Sequence, residues 1–504
     1  MKMKKVIAAL TAAVTIASSL CMGVGAAKSD NSLVVAIDAD IATLHATDMS
    51  TTVEVTVLNQ IYDTLMYMNP DGTKEPEPRI AESYEISEDG LDYTFKIRKD
   101  ATFHDGTPIT VDDVVFSIEL YKASEYQGSQ ISMLSSVEAI DDETVVCHLD
   151  VPYAPFLSGI CAPNIASKAY YEADAEKFAA EPIGSGPYKF VSREIGSQIT
   201  LEAYEDYYRG KANIEKVTFK VVPDPATMAI ALQTGGEYGI DFAEVTAAVL
   251  PQLEATPTVE VAEVETSAFV YVSMNLEKEP YNDVLVRQAI NYAIDRENLV
   301  NVCFEGKASV NSSLCAPSRF GYSEDLMQYS YDPEKAKELL AEAGITAPYD
   351  LGTMIVAEQY ANLAAVIQND LKAVGLEVTI EPQEFNTFIG GLTSGNYGIT
   401  VLQMALEGDT QQLEMAFITD YIGMANNARY SDETMNSLFE QTKTETDTEA
   451  RAELFNQILT KAQEEAIYAS LCNPLMLFAY NADLEVSDFA FEGNYFIYDF
   501  AWAE

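Results

Sequence analysis

The chain has 504 residues, 79 of them acidic and 30 basic, for a formal charge of −49. That length exceeds what one hydrophobic core serves, so two or three domains are expected. The shortage of Lys and Arg argues against nucleic acid or an anionic membrane surface as a partner, since both require basic patches.

In chain order, the first element is a leader. Lys2, Lys4 and Lys5 precede an apolar run from Val6 to Leu20 and then the small residues Val24-Gly25-Ala26-Ala27, the three-part pattern of a secretory signal peptide over residues 1–27. The run is shorter than the roughly 20 residues of a membrane span, and no later run is long and apolar enough to be one. From Leu33 to about Thr266, strands and short helices are mixed, with turns at Asn69-Pro70-Asp71-Gly72, His104-Asp105-Gly106 and Pro223-Asp224-Pro225. Within this part, Tyr93 to Asp100 alternates as a strand does. Thr110 and Asp113 then stand as a helix cap before Val114, Val115, Ile118 and Tyr121 at helical spacing. Beyond Thr266 longer helices alternate with strands. Asp332-Pro333 opens a helix with Ala336, Leu339, Leu340 and Ala343 on its buried stripe, and Gly344 ends it. A helix near Ala365–Ala373 passes through Gly375 into the strand LEVTIEP, and a capping box from Thr446 to Glu449 opens a helix carrying Leu454, Phe455, Ile458, Leu459 and Ala462. Alternation of this kind indicates an α/β fold.

Catalytic signatures are sparse. Gly-x-Ser-x-Gly is absent, and the three histidines, His45, His104 and His148, are isolated, which fits structural roles better than metal ligation. Paired carboxylates are uninformative among 79 acids. Five cysteines follow the leader, none in a C-x-x-C pair; Cys303 and Cys315 are close enough in sequence to be joined, and Cys147 reads as a buried thiol. Neither a metal nor a cofactor is expected.

Four segments in the same order resemble a known family. They are YTFKIRKDATFHDGTPITVDDVVFSIEL (93–120), PIGSGPYKF (182–190), the run from Leu201 to Asp241 that ends in GGEYGID, and MNLEKEPYNDVLVRQAINYAIDRENLV (274–300). Together they resemble the family 5 extracellular solute-binding proteins, the peptide- and nickel-binding components of ABC importers. The resemblance implies an α/β, two-lobed periplasmic-binding-protein-like fold of the large three-domain type, with a ligand cleft between the lobes. Mapped on this chain, the first domain takes residues 28–52, 182–266 and 479–504, the second 53–181 and the third 267–478, with crossings between lobes near Ser267 and Ala479. It also implies a monomer that captures a small solute or short peptide and delivers it to a membrane permease. Many relatives are lipoproteins, but Ser18-Ser19-Leu20 before Cys21 is a poor lipobox, which favours cleavage after Ala26 or Ala27 and an exported protein without lipid.

Ligand identity is read from a few positions. Trp502 is the only tryptophan, which disfavours stacking on an oligosaccharide, and three histidines disfavour a nickel chelate. A peptide or an amine-bearing solute is left, with an exported hydrolase or a sensor component on the same fold as the alternative. Peptide-binding relatives hold the ligand's ammonium with an Asp in a segment similar to Val401–Asp409. Asp409 after Gly408 is the nearest match, with Glu407 as fallback and Gln403 and Met404 where relatives usually have a Trp early in the segment. The resemblance adds Thr43, Leu44 and His45 after the first strand. Position alone adds Glu358, Gln359 and Tyr360 at a helix opening, and Arg319 is a candidate for a ligand carboxylate.

Overall fold

The structure is a computed structural model that describes residues 31–68, 76–235, 239–317, 319–406, 408–487, 489 and 495–503. The leader with Cys21, the turn at 69–72 and Glu407 lie outside the described residues.

A twelve-stranded sheet runs through the molecule. In its first half, β1 (Ser32–Ile37) lies between β2 (Lys216–Val221) and β3 (Phe242–Glu244) and is parallel to both. Strand alternation sends Leu33, Val35 and Ile37 into one core with Val57, Leu58 and Ile61 of α1 (Thr52–Ile61). Ala36 points the other way, into a core with Met228, Ala229 and Leu232 of α2 (Pro225–Thr234). Covering both faces in this way is what parallel strands require.

The two halves of the sheet are joined by strands that change partners. β4 (Val259–Glu265) is followed after a short break by β5 (Phe269–Met274), which pairs on one side with β6 (Ile399–Met404). β7 (Tyr468–Asn481) pairs with β5 at Tyr468–Cys472 and with β4 at Leu475–Asn481. At the change of partner, Thr266 Oγ1 donates to the Pro474 carbonyl at 2.9 Å and Asn473 Nδ2 donates to that of Ala268 at 2.8 Å. Side chains thus replace ladder bonds that the backbone lacks there. Ala479, read from sequence as a crossing, is already paired with Ala243 and Val261 in the first half. In the second half every residue of β5 is buried: Val270, Val272 and Met274 face one core, Phe269 and Tyr271 the other.

A separate antiparallel sheet is ordered Ala81–Ile86, Asp92–Ile97, Thr144–Leu149, Leu134–Ala139 and is covered by the helix Val111–Ala123 through Val114, Ile118 and Tyr121. The Thr110–Asp113 capping box forms at that helix. His104 joins the neighbouring turn to the GSGPY loop: its Nδ1 accepts from Gly184 N at 3.1 Å and its Nε2 meets Gly186 O at 2.9 Å. Burial lowers its pKa to about 4, so the ring stays neutral.

Two local expectations change. The helix expected from Thr446 is capped instead by Asp447, which accepts from Ala450 N at 2.9 Å, and spans Thr448–Glu464 as α3. A carboxylate is the stronger acceptor for a helix N-terminus. Cys303 and Cys315 are both free and belong to different cores.

Candidate functional site

A cavity of about 190 Å³ opens where β1 and β3 end. Its floor is Ile37 and Asp38 after β1 and Glu244, Val245 and Thr246 at the end of β3; the N-terminal turns of α1 (Thr52, Val53) and α2 (Pro225, Met228) flank it, and Met476 and Phe478 of β7 with Tyr495 close it. The carboxyl edge of parallel strands is where open α/β sheets bind ligands, because side chains splay from the strand ends and helix N-termini converge there. Both helix N-termini already hold a carboxylate of their own chain. Glu54 accepts from the amides of Ala42, Ser50 and Thr51 at 2.9, 2.7 and 3.1 Å, and Asp224 accepts from Thr227 N at 2.7 Å. Burial, and then the nearby Asp38, raise the pKa of Glu244. The site is therefore apolar in its walls and negative in its field.

Of the residues singled out in sequence, Arg319, Gly408 and Asp409 come together. Arg319 Nη2 donates to the Gly408 carbonyl, and Asp409 receives both Nη atoms of Arg451 at 3.0 and 2.6 Å. Asp409 Oδ1 also accepts from Gln411 N at 2.8 Å, capping the short turn Thr410–Leu413. Burial acts to raise its pKa, but the charge and hydrogen bonds of Arg451 outweigh it and leave the carboxyl below its ordinary value. The charge expected to meet a ligand ammonium is already matched within the protein. Across from this cluster, Ala154 N donates to the Lys443 carbonyl at 2.7 Å, joining the segment after the four-stranded sheet to the second half.

The other candidates keep local partners. Leu44 is fully buried and its amide donates to Ala179 O; Thr43 Oγ1 accepts from His45 N at 2.9 Å. His45 packs edge-on against Phe178 and Tyr171, with ring centroids 5.1 and 6.1 Å apart, and burial lowers its pKa. Glu358, Gln359 and Tyr360 form a single 3₁₀ turn after the strand Tyr349–Ala357, with Tyr360 packed against both cores of that half. Gln403 and Met404 end β6 opposite Val270 and Phe269, Gln403 exposed and Met404 against the core.

Asp38, Glu244 and Tyr495 were not singled out. An acid just past a strand end is a usable signal, but only the tertiary arrangement shows that β1 and β3 are neighbours and that Tyr495 folds back beside them.

Residues 75–416 match the model of bacterial extracellular solute-binding proteins, family 5 middle. Heme-binding protein A of Haemophilus influenzae is 30% identical over 437 residues, 79% of this chain and 79% of that protein. The dipeptide-binding protein of Escherichia coli is 28% identical over 433 residues, covering 78% and 80%. Among solved structures, HbpA2 from Haemophilus parasuis superimposes with a TM-score of 0.86 at 26% identity, over 94% of this chain and 100% of that one. This chain belongs to the family 5 bacterial extracellular solute-binding proteins and has their two-lobed α/β fold.

Proposed function

We propose that the protein captures a short peptide or another amine-bearing solute between its lobes and passes it, unchanged, to an ABC permease. The observation that supports this most is the position of the cavity: it lies at the carboxyl edge of β1 and β3 and is closed by β7, the strand that runs on into the other half of the sheet. A ligand there touches the element about which the lobes would turn. On this reading the breaks at Thr266–Ala268 and Asn473–Pro474 act as the hinge, the first lobe comprises residues 28–266 and the stretch after the second break, and the other lobe lies between the breaks. The relative that binds dipeptides agrees with the ligand class. The mature chain begins at Ala27 or Lys28 and carries no lipid, which N-terminal sequencing of exported material checks; an acylated Cys21 is the contrary result.

Incubating the purified protein with a peptide mixture and recovering the bound species by mass spectrometry tests capture. Intact peptides should be retained, and a hundredfold excess over the dissociation constant should stabilise the fold by about 2.7 kcal/mol. Cleaved products in place of intact peptides would favour the exported-hydrolase alternative.

A further inference from the structure

On the lobe boundaries used above, the lobes meet outside the shared sheet as well as within it. The amide of Ala154 in the first lobe donates to the Lys443 carbonyl of the second at 2.7 Å, and neither residue belongs to a strand. The acceptor is of a particular kind. Lys443 lies in the last turn of the helix Glu433–Thr444, where carbonyls have no partner within the helix. The carbonyl before it, Thr442 O, is met from its own lobe by Arg451 Nε at 2.9 Å, so Ala154 does for Lys443 what Arg451 does for Thr442. Further contacts surround this bond. A Cβ at Gly90 would lie 3.3 Å from Pro152 Cβ and 3.6 Å from Thr446 Cγ2, and one at Gly408 would lie 3.9 Å from Ser158 Oγ. Tyr153 is half-buried between them. Burial, then the charges of Glu414 and Asp409, push its hydroxyl up to about 12 while Lys443 and Arg451 act the other way, so the charged groups around it belong to the second lobe.

Each surface is fixed by its own lobe. Phe156 is fully buried and packs edge-on against Tyr93 with ring centroids 4.9 Å apart, and the Tyr93 hydroxyl donates to Tyr153 O at 3.4 Å. A Cβ at Gly159 would come within 2.5 Å of the Gln130 carbonyl oxygen, which shows how closely the segment lies on the first lobe. On the other side Arg451 grips Asp409, Thr442 Oγ1 donates to Gln411 Oε1 at 2.8 Å, and Lys443 Nζ bridges Glu414 and Glu440 at 2.9 and 2.8 Å. Surfaces organised in advance lose little freedom when they join. Resting on the capture reading above, we propose that residues 152–158 are a latch: they dock on the second-lobe surface made by Gly408, Asp409 and the helix end at Lys443, bias the protein toward closure before a ligand arrives, and slow the release of a bound one. Asp409, whose neighbours in sequence suggest a ligand partner, then helps to build the surface that receives the other lobe. A hydrogen bond exchanged with water nets only about two- to tenfold in an equilibrium, so the latch opens reversibly and leaves the rest of closure to the ligand.

The test compares the full-length mature protein with Ala154→Pro, which lacks the donor, Tyr153→Ala, which lacks the ring and keeps the backbone, and Ala154→Ser, which keeps the amide, each with its thermal melt. Without ligand, the amides of the peptide carrying Tyr153 and Ala154 should exchange more slowly in the parent than in Tyr153→Ala. The radius of gyration from small-angle scattering should rise in Ala154→Pro and Tyr153→Ala and stay at the parent value in Ala154→Ser. A dipeptide retained from a library with free amino termini should dissociate about two- to tenfold faster from the first two variants. An Ala154 amide that exchanges in the ligand-free parent as an unprotected amide does overturns the inference. So does a radius unchanged in Tyr153→Ala when its melt matches the parent, and that variant decides alone where Ala154→Pro melts lower than Ala154→Ser. Retention of no dipeptide overturns the peptide reading, and the exchange and scattering measured without ligand still decide the latch.

Discussion

At the scale of single residues, Arg451 holds the most consequences. Its two Nη atoms grip Asp409, its Nε donates to Thr442 O at 2.9 Å, and the guanidinium lies 5.3 and 5.2 Å from the ring centroids of Phe320 and Phe455. Arg451→Met keeps the bulk and leaves a mostly buried carboxylate without its counter-charge, a change that typically costs about 3–5 kcal/mol. Chemical denaturation should show a loss of that order, and Asp409→Asn in the same background should restore part of it. A loss under about 1 kcal/mol would mean that water already screens the pair. Asp370 offers a test of opposite sign. Burial raises its pKa from 3.8 to about 6, against the hydrogen bond that it accepts from Asp295 N at 3.1 Å. Because the folded protein holds this proton more tightly than the unfolded chain, the group's contribution is fully present below about pH 4 and is lost as the pH rises through 6. Allowing for solvent around a half-exposed group, Asp370→Asn should be about 1 kcal/mol more stable than the parent at pH 8, with the difference gone near pH 4. Melting curves across that range check it.

At the scale of elements, the signature segments of the sequence turn out to be joints. Gly184 lies against the last turn of α1, and a Cβ there would come within 2.0 Å of the Ile61 carbonyl oxygen, while Gly186 would meet the same turn at 2.8 Å. Neither neighbour is a side chain that can swing away, so Gly184→Ala should cost about 2–3 kcal/mol, read as a lower denaturant midpoint. A change below about 0.5 kcal/mol would show that the loop can shift. Helix starts were the most legible elements, because a cap is local chemistry: Thr110 with Asp113 and Asp332 with Pro333 both form as their spacing suggests. The Thr446 start was misplaced by one residue because two adjacent side chains could accept the same orphan amides and Asp447 does so. The crossing in β7 was harder still. Asn473-Pro474 is a dipeptide that usually marks a turn, yet the strand runs straight through it and only its partners change.

On the scale of the whole molecule, one strand belonging to both halves of the sheet sets what the lobes can do. On the capture reading, closure would turn where the ladder changes partner, at Thr266–Ala268 beside Asn473–Pro474, with the separately packed cores on either side moving as bodies. Small-angle scattering with a retained dipeptide should give a smaller radius of gyration than without it; superimposable curves with a ligand of proven affinity would argue against closure. The excess of 79 acids over 30 bases also gives a negative field that favours the approach of cations, so association of a positively charged ligand should slow as salt is raised.

The sequence by itself determined the α/β class, the leader pattern, the caps and the family, because each rests on residues near one another along the chain or on ordered motifs. It did not determine where a charge would be needed. Asp409 has the neighbours in sequence that suggest an ammonium partner, and the fold brings Arg451 to it from 42 positions away. Asp38 has nothing in its sequence neighbourhood to distinguish it from other acids, and the fold places it with Glu244 and Tyr495 in the lining of one cavity whose described lining residues include no Lys, Arg or His. Electrostatic demand depends on which charges lie within a few ångströms in space and on how much water remains between them, and both are fixed only when distant segments pack.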